Sequence, residues 1–270
     1  MKIRSETYRS SPRLSRKLEC YNGELVSAVK KKDAARVRSA LQCGADPNSV
    51  CTFTTPCATY KSAPVLIRAV VNGDIEVVKA LLEADNINVE LHGDCPNSPL
   101  LTAILKDYVD IAGLLLSRGA NPDLPSGQVI HHLGQHTPLL AAAERNSVGV
   151  AELLLSHGAS PDLPSGIHDC PPLVQAAHKG HLELCRLLLQ HNANPDATDK
   201  FGAHGIFRAA GKGHREVVEL IVEHGGDPTI KYFDRTPAEW ARSRRHTALA
   251  DWLDKIMVCY RSLKNTEKLW

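Results

Sequence analysis

The stretch from Pro171 to Asp196, PPLVQAAHKGHLELCRLLLQHNANPD, is too short to hold a fold by itself, and it recurs. Its prolines suit a first helical turn, which has no use for the missing N–H. Leu173, Ala176 and Ala177 then lie three and four apart, the spacing of one helix face. Gly180-His181 interrupts that helix, and Leu184, Cys185 and Leu188 restart the same spacing in a second one. Asn192 follows the leucine run, where a helix commonly ends in a left-handed Gly or Asn. Two helices this short are marginal alone in water. Copies supply the missing burial: TPLLAAAERNSVGVAELLLSHGASPD starts at Thr137, SPLLTAILKDYVDIAGLLLSRGANPD at Ser98 and HGIFRAAGKGHREVVELIVEHGGDPT at His204. Weaker copies start at Gly23, Pro64 and Thr236, and the seven starts are separated by 41, 34, 39, 34, 33 and 32 residues.

A period near 33 residues with a Thr-Pro-Leu opening resembles the ankyrin repeat, over roughly residues 21 to 256. The resemblance implies an all-α solenoid of stacked helix-turn-helix units with β-hairpin-like finger loops. Residues 1–20 would be a flexible basic leader and residues 257–270 a short tail. The first repeat is expected to be a cap, with Lys30, Lys31, Lys32 and Asp33 where inner repeats use Gly. The last is also a cap, with Trp240 and Trp252 sealing its end. The family's opening His is replaced by Ile67, Leu101, Leu140, Val174, Phe207 and Glu239, so apolar packing is expected in place of its hydrogen bonds. On function the resemblance is nearly silent, since such arrays present surfaces to many unrelated partners.

Composition excludes several classes. The 43% hydrophobic content suffices for a continuous core, and a net charge of +2 gives no global field favouring nucleic acid or membrane. Eight cysteines could pair, but neither an apolar signal-peptide core nor a membrane-length apolar run is present. Reduced thiols in the cytosol or nucleus are therefore expected.

Two insertions, within SVCTFTTPCATYKSA and LPSGQVIHHLGQ, fall in the fingers, where an array accepts extra residues. Asp123-Leu124-Pro125-Ser126-Gly127 is echoed by Asp162-Leu163-Pro164-Ser165-Gly166, which points to two fingers of similar build. The second repeat ends without Gly, at Ala84-Asp85, so its exit turn should differ.

No catalytic motif is present: Gly211-Lys212 lacks the earlier glycine and the strand of a phosphate loop. Cys95, His131, His132, His136, His168 and Cys170 fall in neighbouring fingers and are zinc-type ligands, but their spacing matches no zinc motif. No cofactor or metal is expected. The ninth residue of each repeat is more informative: Lys31, Asn72, Lys106, Arg145, Lys179, Lys212 and Arg244. By the resemblance this place lines the concave groove, so the cations should form a row, although a solvated face needs no partner. Finger positions implied to face partners hold Tyr60 and Lys61, Lys200 and Phe201, and Tyr232 and Phe233. These rings could anchor an interface or pack between fingers. The reading is a monomeric, non-enzymatic module that binds an acidic protein segment, with no small-molecule substrate. The alternatives are a ubiquitin-ligase substrate receptor, for which no docking box follows Lys255, or a binder of nucleic acid or acidic lipid. Against nucleic acid, the row lacks interleaved stacking aromatics.

Overall fold

A computed structural model describes residues 12–55, 58–126 and 136–267. Helices α1 (Pro12–Lys30) and α2 (Ala34–Gln42) form the first pair, followed by strands β1 (Val50–Thr54) and β2 (Thr59–Pro64). The pairs α3 (Val65–Val71) with α4 (Ile75–Leu82), and α5 (Pro99–Leu105) with α6 (Val109–Ser117), come next. After them are α7 (Pro138–Arg145) with α8 (Val148–Ser156), and α9 (Pro172–Lys179) with α10 (Leu182–Gln190). The last pairs are α11 (Gly205–Lys212) with α12 (Arg215–Glu223), and α13 (Pro237–Ser243) with α14 (Thr247–Glu267).

The chain divides into two compact units, Met1–Ala120 and Asn121–Trp270. In the first, α1, α3 and α5 stand side by side, as do α2, α4 and α6. The second repeats this with α7, α9, α11 and α13 in one row, α8, α10 and α12 in the other, and α14 against α13. The periodic apolar faces are what these rows bury: Leu173, Ala176, Ala177, Leu184, Cys185 and Leu188 are all inaccessible. Three of these six side chains, Ala176, Ala177 and Cys185, are small, which lets neighbouring helices approach closely. Ile67, Leu101, Leu140, Val174 and Phe207 are buried too, so apolar packing does replace the family's opening His there. Glu239 does not: with Thr236 it makes a reciprocal capping box, Thr236 N–H donating to Glu239 Oε2 at 2.8 Å.

The same turn joins the helices of every pair. Lys32, Gly73, Asp107, Asn146, Gly180, Gly213 and Arg245 all adopt left-handed backbone, with φ between 58° and 77°. Only three are glycines, so the packed helices on either side impose the turn and the residue adapts to it. Gly44, Gly119, Gly158, Asn192 and Gly225 are left-handed after the second helices, whereas no residue between Gly73 and Gly93 is. The exit after Ala84-Asp85 is thus the different one.

Two helix boundaries differ from the sequence reading, and the first insertion is a hairpin as expected. Helix α1 opens on Pro12 and takes in Arg16 to Cys20, assigned above to a flexible leader. Once Leu25, Ala28 and Val29 are anchored in the core, adding exposed turns to an existing helix costs little. Helix α14 likewise runs through residue 256 into the expected tail. The first insertion forms the antiparallel β1–β2 hairpin, with Cys51 opposite Ala63 and Phe53 opposite Tyr60. Most of the second, including His131 and His132, lies outside the described residues.

Candidate functional site

In the second unit, the first helices and the fingers enclose a trough made of three cavities that share walls. Cavities of about 220, 360 and 240 Å³ follow one another from His136 to Arg244. His168, Cys170 and Gln175 belong to the first two, and His178, Arg208 and Tyr232 to the second and third.

Backbone ties hold each finger to the next repeat. Asp123 accepts from Ser160 N–H at 3.0 Å, Asp162 from Asn194 N–H at 2.9 Å, and Asp196 from Asp227 N–H at 3.0 Å. The two echoed fingers share their build: Ser126 N–H donates to His136 C=O and Ser165 N–H to Cys170 C=O, with both serines buried. The tightest tie was not apparent from sequence. Asp199, its side chain only 2% exposed, accepts from Phe201 N–H at 2.9 Å, Ala203 N–H at 3.0 Å and the Arg208 guanidinium. Arg208 reaches from α11, so this pair fixes the finger against the trough floor.

The row of cations divides. Lys106 belongs to the first unit, on the rim of a cavity of about 320 Å³ that Phe53, Tyr60 and Asn72 also line. Arg145, Lys179, Lys212 and Arg244 are exposed in the second. Lys179 donates to Glu144 C=O at 2.9 Å, and the Glu144 carboxylate accepts from His136 Nε2 at 3.3 Å and Gln175 Nε2 at 3.5 Å. The His136 hydrogen bond, helped by the charges of Lys179 and Arg145, holds Glu144 below the usual carboxylate range. A carboxylate therefore stands near the cations of α7 and α9, although among the described residues neither Arg145 nor Lys179 forms an ion pair with it. Among the described residues neither Lys212 nor Arg244 has a carboxylate partner, whereas Arg186, Arg208, Arg215 and Arg242 do. Arg244 instead lies over the Trp240 ring at 5.3 Å.

The finger aromatics also divide. Tyr60 is half-buried against Phe53, ring centroids 5.2 Å apart, and Lys61 N–H is held by Asp94 at 2.7 Å. Tyr232 is half-buried between Phe207 and Trp240, at 5.7 and 6.0 Å. Phe201 and Phe233 remain 53% and 76% exposed. Lys200 lies over Phe201 at 5.3 Å, and His168 stacks near the same ring. Trp240 faces the trough, while Trp252 lies under Arg215 at 5.9 Å, so the two do not form one end seal.

Among the described residues, no three metal-ligand side chains converge. Cys95 is packed in the first unit with Phe53, Ala63 and Ile67. Burial pushes the Cys95 thiol up to about 11 and those of Cys170 and Cys185 to about 12, which keeps all three protonated and poorly nucleophilic at neutral pH.

Comparisons with known proteins agree with this architecture. Models of ankyrin repeats, in three copies and in many copies, match residues 25–126, 66–165 and 173–222. The crystal structure of EF0377, an ankyrin repeat protein, is similar at a TM-score of 0.63 and 27% identity, covering 70% of this chain and 96% of that one. A search of curated protein sequences gives no match. Seven helix pairs of one build and family models matched across most of the array lead to one conclusion: the chain belongs to the ankyrin-repeat family.

Proposed function

We propose that this protein is a non-enzymatic binding module whose trough and fingers hold an acidic segment of a partner protein. Ankyrin repeats are generally protein-interaction modules, and among the described residues no helix is long and apolar enough to cross a membrane. The observation that carries the reading is the trough itself. Its second and third cavities set Phe201, Tyr232, Phe207 and Trp240 beside Arg208, Lys212 and Arg244, and among the described residues Lys212 and Arg244 have no carboxylate partner. Exposed Phe201 and Phe233 add apolar contact at the finger tips. Each exposed ion pair with a partner contributes only about 0.2–1 kcal/mol, so the cations act mainly on association rate and partner choice.

The test is affinity purification from cells with the wild type and with Arg145, Lys179, Lys212 and Arg244 changed together to Gln. The variant should fold normally and lose the main partner, and wild-type binding should weaken as salt rises to physiological levels. Full partner recovery by the folded variant moves the site to the finger tips or the opposite face.

A further inference from the structure

The cavity between α11 and α13 differs from the rest of the trough. Phe207, Tyr232 and Trp240 line it, and Trp240 can lie flat there only because residue 211 is glycine. A Cβ at that position would stand 2.6 Å from the indole nitrogen. Four groups at its edge carry or could carry positive charge. Arg208 is neutralised by buried Asp199. His178 is held below the ordinary imidazole range by burial and then by Lys212 and Arg208 beside it, so it is uncharged at neutral pH. That leaves Lys212 and Arg244, neither with a carboxylate partner among the described residues. The Arg244 guanidinium carbon lies over the Trp240 ring, 5.3 Å from its centroid, and a guanidinium held over an aromatic ring still has N–H groups to offer a planar oxyanion. Lys212 adds a mobile point charge.

We infer that this cavity is the anchor for one glutamate side chain of the bound segment, its carboxylate on Arg244 and Lys212 and its methylenes against Trp240 and Tyr232. The inference rests on the trough reading above and makes it local: acid recognition belongs to the sixth and seventh repeats. Around α7, by contrast, Glu144 already answers Arg145 and Lys179.

The experiment pans a phage-displayed library of random dodecapeptides against the full chain, then synthesises a selected peptide in Glu and Gln forms. Binding of each form is measured to the wild type, to Lys212→Gln/Arg244→Gln, and to Lys106→Gln/Arg145→Gln. In the wild type, Glu→Gln should weaken binding at least about tenfold, the size expected for a charge-assisted hydrogen bond. In Lys212→Gln/Arg244→Gln the two forms should bind alike. Arg244→Lys, which keeps the charge and removes the fork, should retain only part of the Glu preference. Occupancy by the Glu peptide, and not the Gln peptide, should raise the His178 pKa followed by NMR. A Glu preference that persists in Lys212→Gln/Arg244→Gln, or selected peptides without any acid, would overturn the anchor. If the preference is lost in Lys106→Gln/Arg145→Gln instead, the anchor falls, and its loss in Arg145→Gln alone keeps the trough reading. Binding unchanged in both folded variants removes both.

Discussion

Replacing Asp199 by Ala and by Asn separates two contributions that one buried carboxylate makes. Its Oδ1 accepts the Phe201 and Ala203 N–H groups, and its Oδ2 faces the Arg208 guanidinium. Alanine orphans the Ala203 N–H in a buried position, at a cost of about 1–3 kcal/mol. Phe201 N–H is nearer water and adds little. Arg208, its side chain 33% exposed, can rehydrate, so losing the pair adds only about 1 kcal/mol. Asp199→Ala should therefore lose about 2–4 kcal/mol. Asparagine keeps an amide oxygen for both N–H groups and should lose only the pair, about 1 kcal/mol. Urea unfolding followed by tryptophan fluorescence suits the question, because all three tryptophans lie after residue 239 and Trp240 contacts the same trough. With a slope near 2 kcal/mol per molar urea, the Ala variant's midpoint should fall by about 1–2 M. Equal losses in the two variants, or a larger one for Asn, would refute the assignment of the buried N–H groups to this carboxylate.

Gly211→Ala places a methyl against the Trp240 indole and should displace it, with a red-shifted emission and a loss of about 1–3 kcal/mol; unchanged emission would mean that the ring does not lie there. Acidification should destabilise the second unit. His178 and His181 both have folded pKa values below the ordinary 6.5, mainly through burial, so the unfolded chain takes up protons first and stability falls as pH drops below about 6.5. His178→Gln/His181→Gln should flatten that slope between pH 7 and 5.5, and an unaltered slope would show that neither histidine is responsible. Truncation near Tyr232 removes α13 and α14 and exposes the buried edge of α11, so the product should aggregate or melt far earlier; a soluble monomer with unchanged melting would exclude the seventh repeat from the stack.

The helix pairs were legible because one apolar spacing recurs seven times, and each copy is evidence for the others. Turn residues were less so. Gly180 and Gly213 announce a left-handed turn, but Lys32, Asp107 and Arg245 adopt the same backbone, and nothing in a lysine or an arginine signals that. The first helix was cut short because Arg16 to Cys20 are exposed and strongly charged, which made them read as a solvated leader. For the candidate site, the row of cations could be read and the state of each cation could not. Lys179 is held by the backbone carbonyl of Glu144, 35 residues away in sequence, and Arg208 is paired with Asp199, nine residues away. The fingers posed the same problem: adjacent Tyr232 and Phe233 look alike as letters, but one packs beneath its finger and the other is solvated.

A repeated array makes equivalent positions equivalent in space, so a site must come from what breaks the repetition. The ninth residue of each repeat is nearly uniform, and a uniform row of cations would hold an acidic chain in any register. The eighth residue is what varies: Glu144, His178, Gly211 and Ser243 in the last four repeats. Glutamate compensates the cations beside it. Histidine, half-buried and beside Lys212, is held below the ordinary imidazole range and lends shape more than charge. Glycine gives the Trp240 ring room to lie down, and Trp240 in turn orients Arg244. The gradient along the trough runs from compensated charge at α7 to uncompensated charge over aromatic walls at α13. On the proposed reading, such a gradient would give a bound segment both a register and a direction, because reversing the chain would move its acid from Lys212 and Arg244 to a place already holding the Glu144 carboxylate. Like charges placed together are penalised more heavily than a surface ion pair is rewarded. Discrimination in the proposed trough would therefore rest on Glu144 as much as on the cations that the sequence brought to notice.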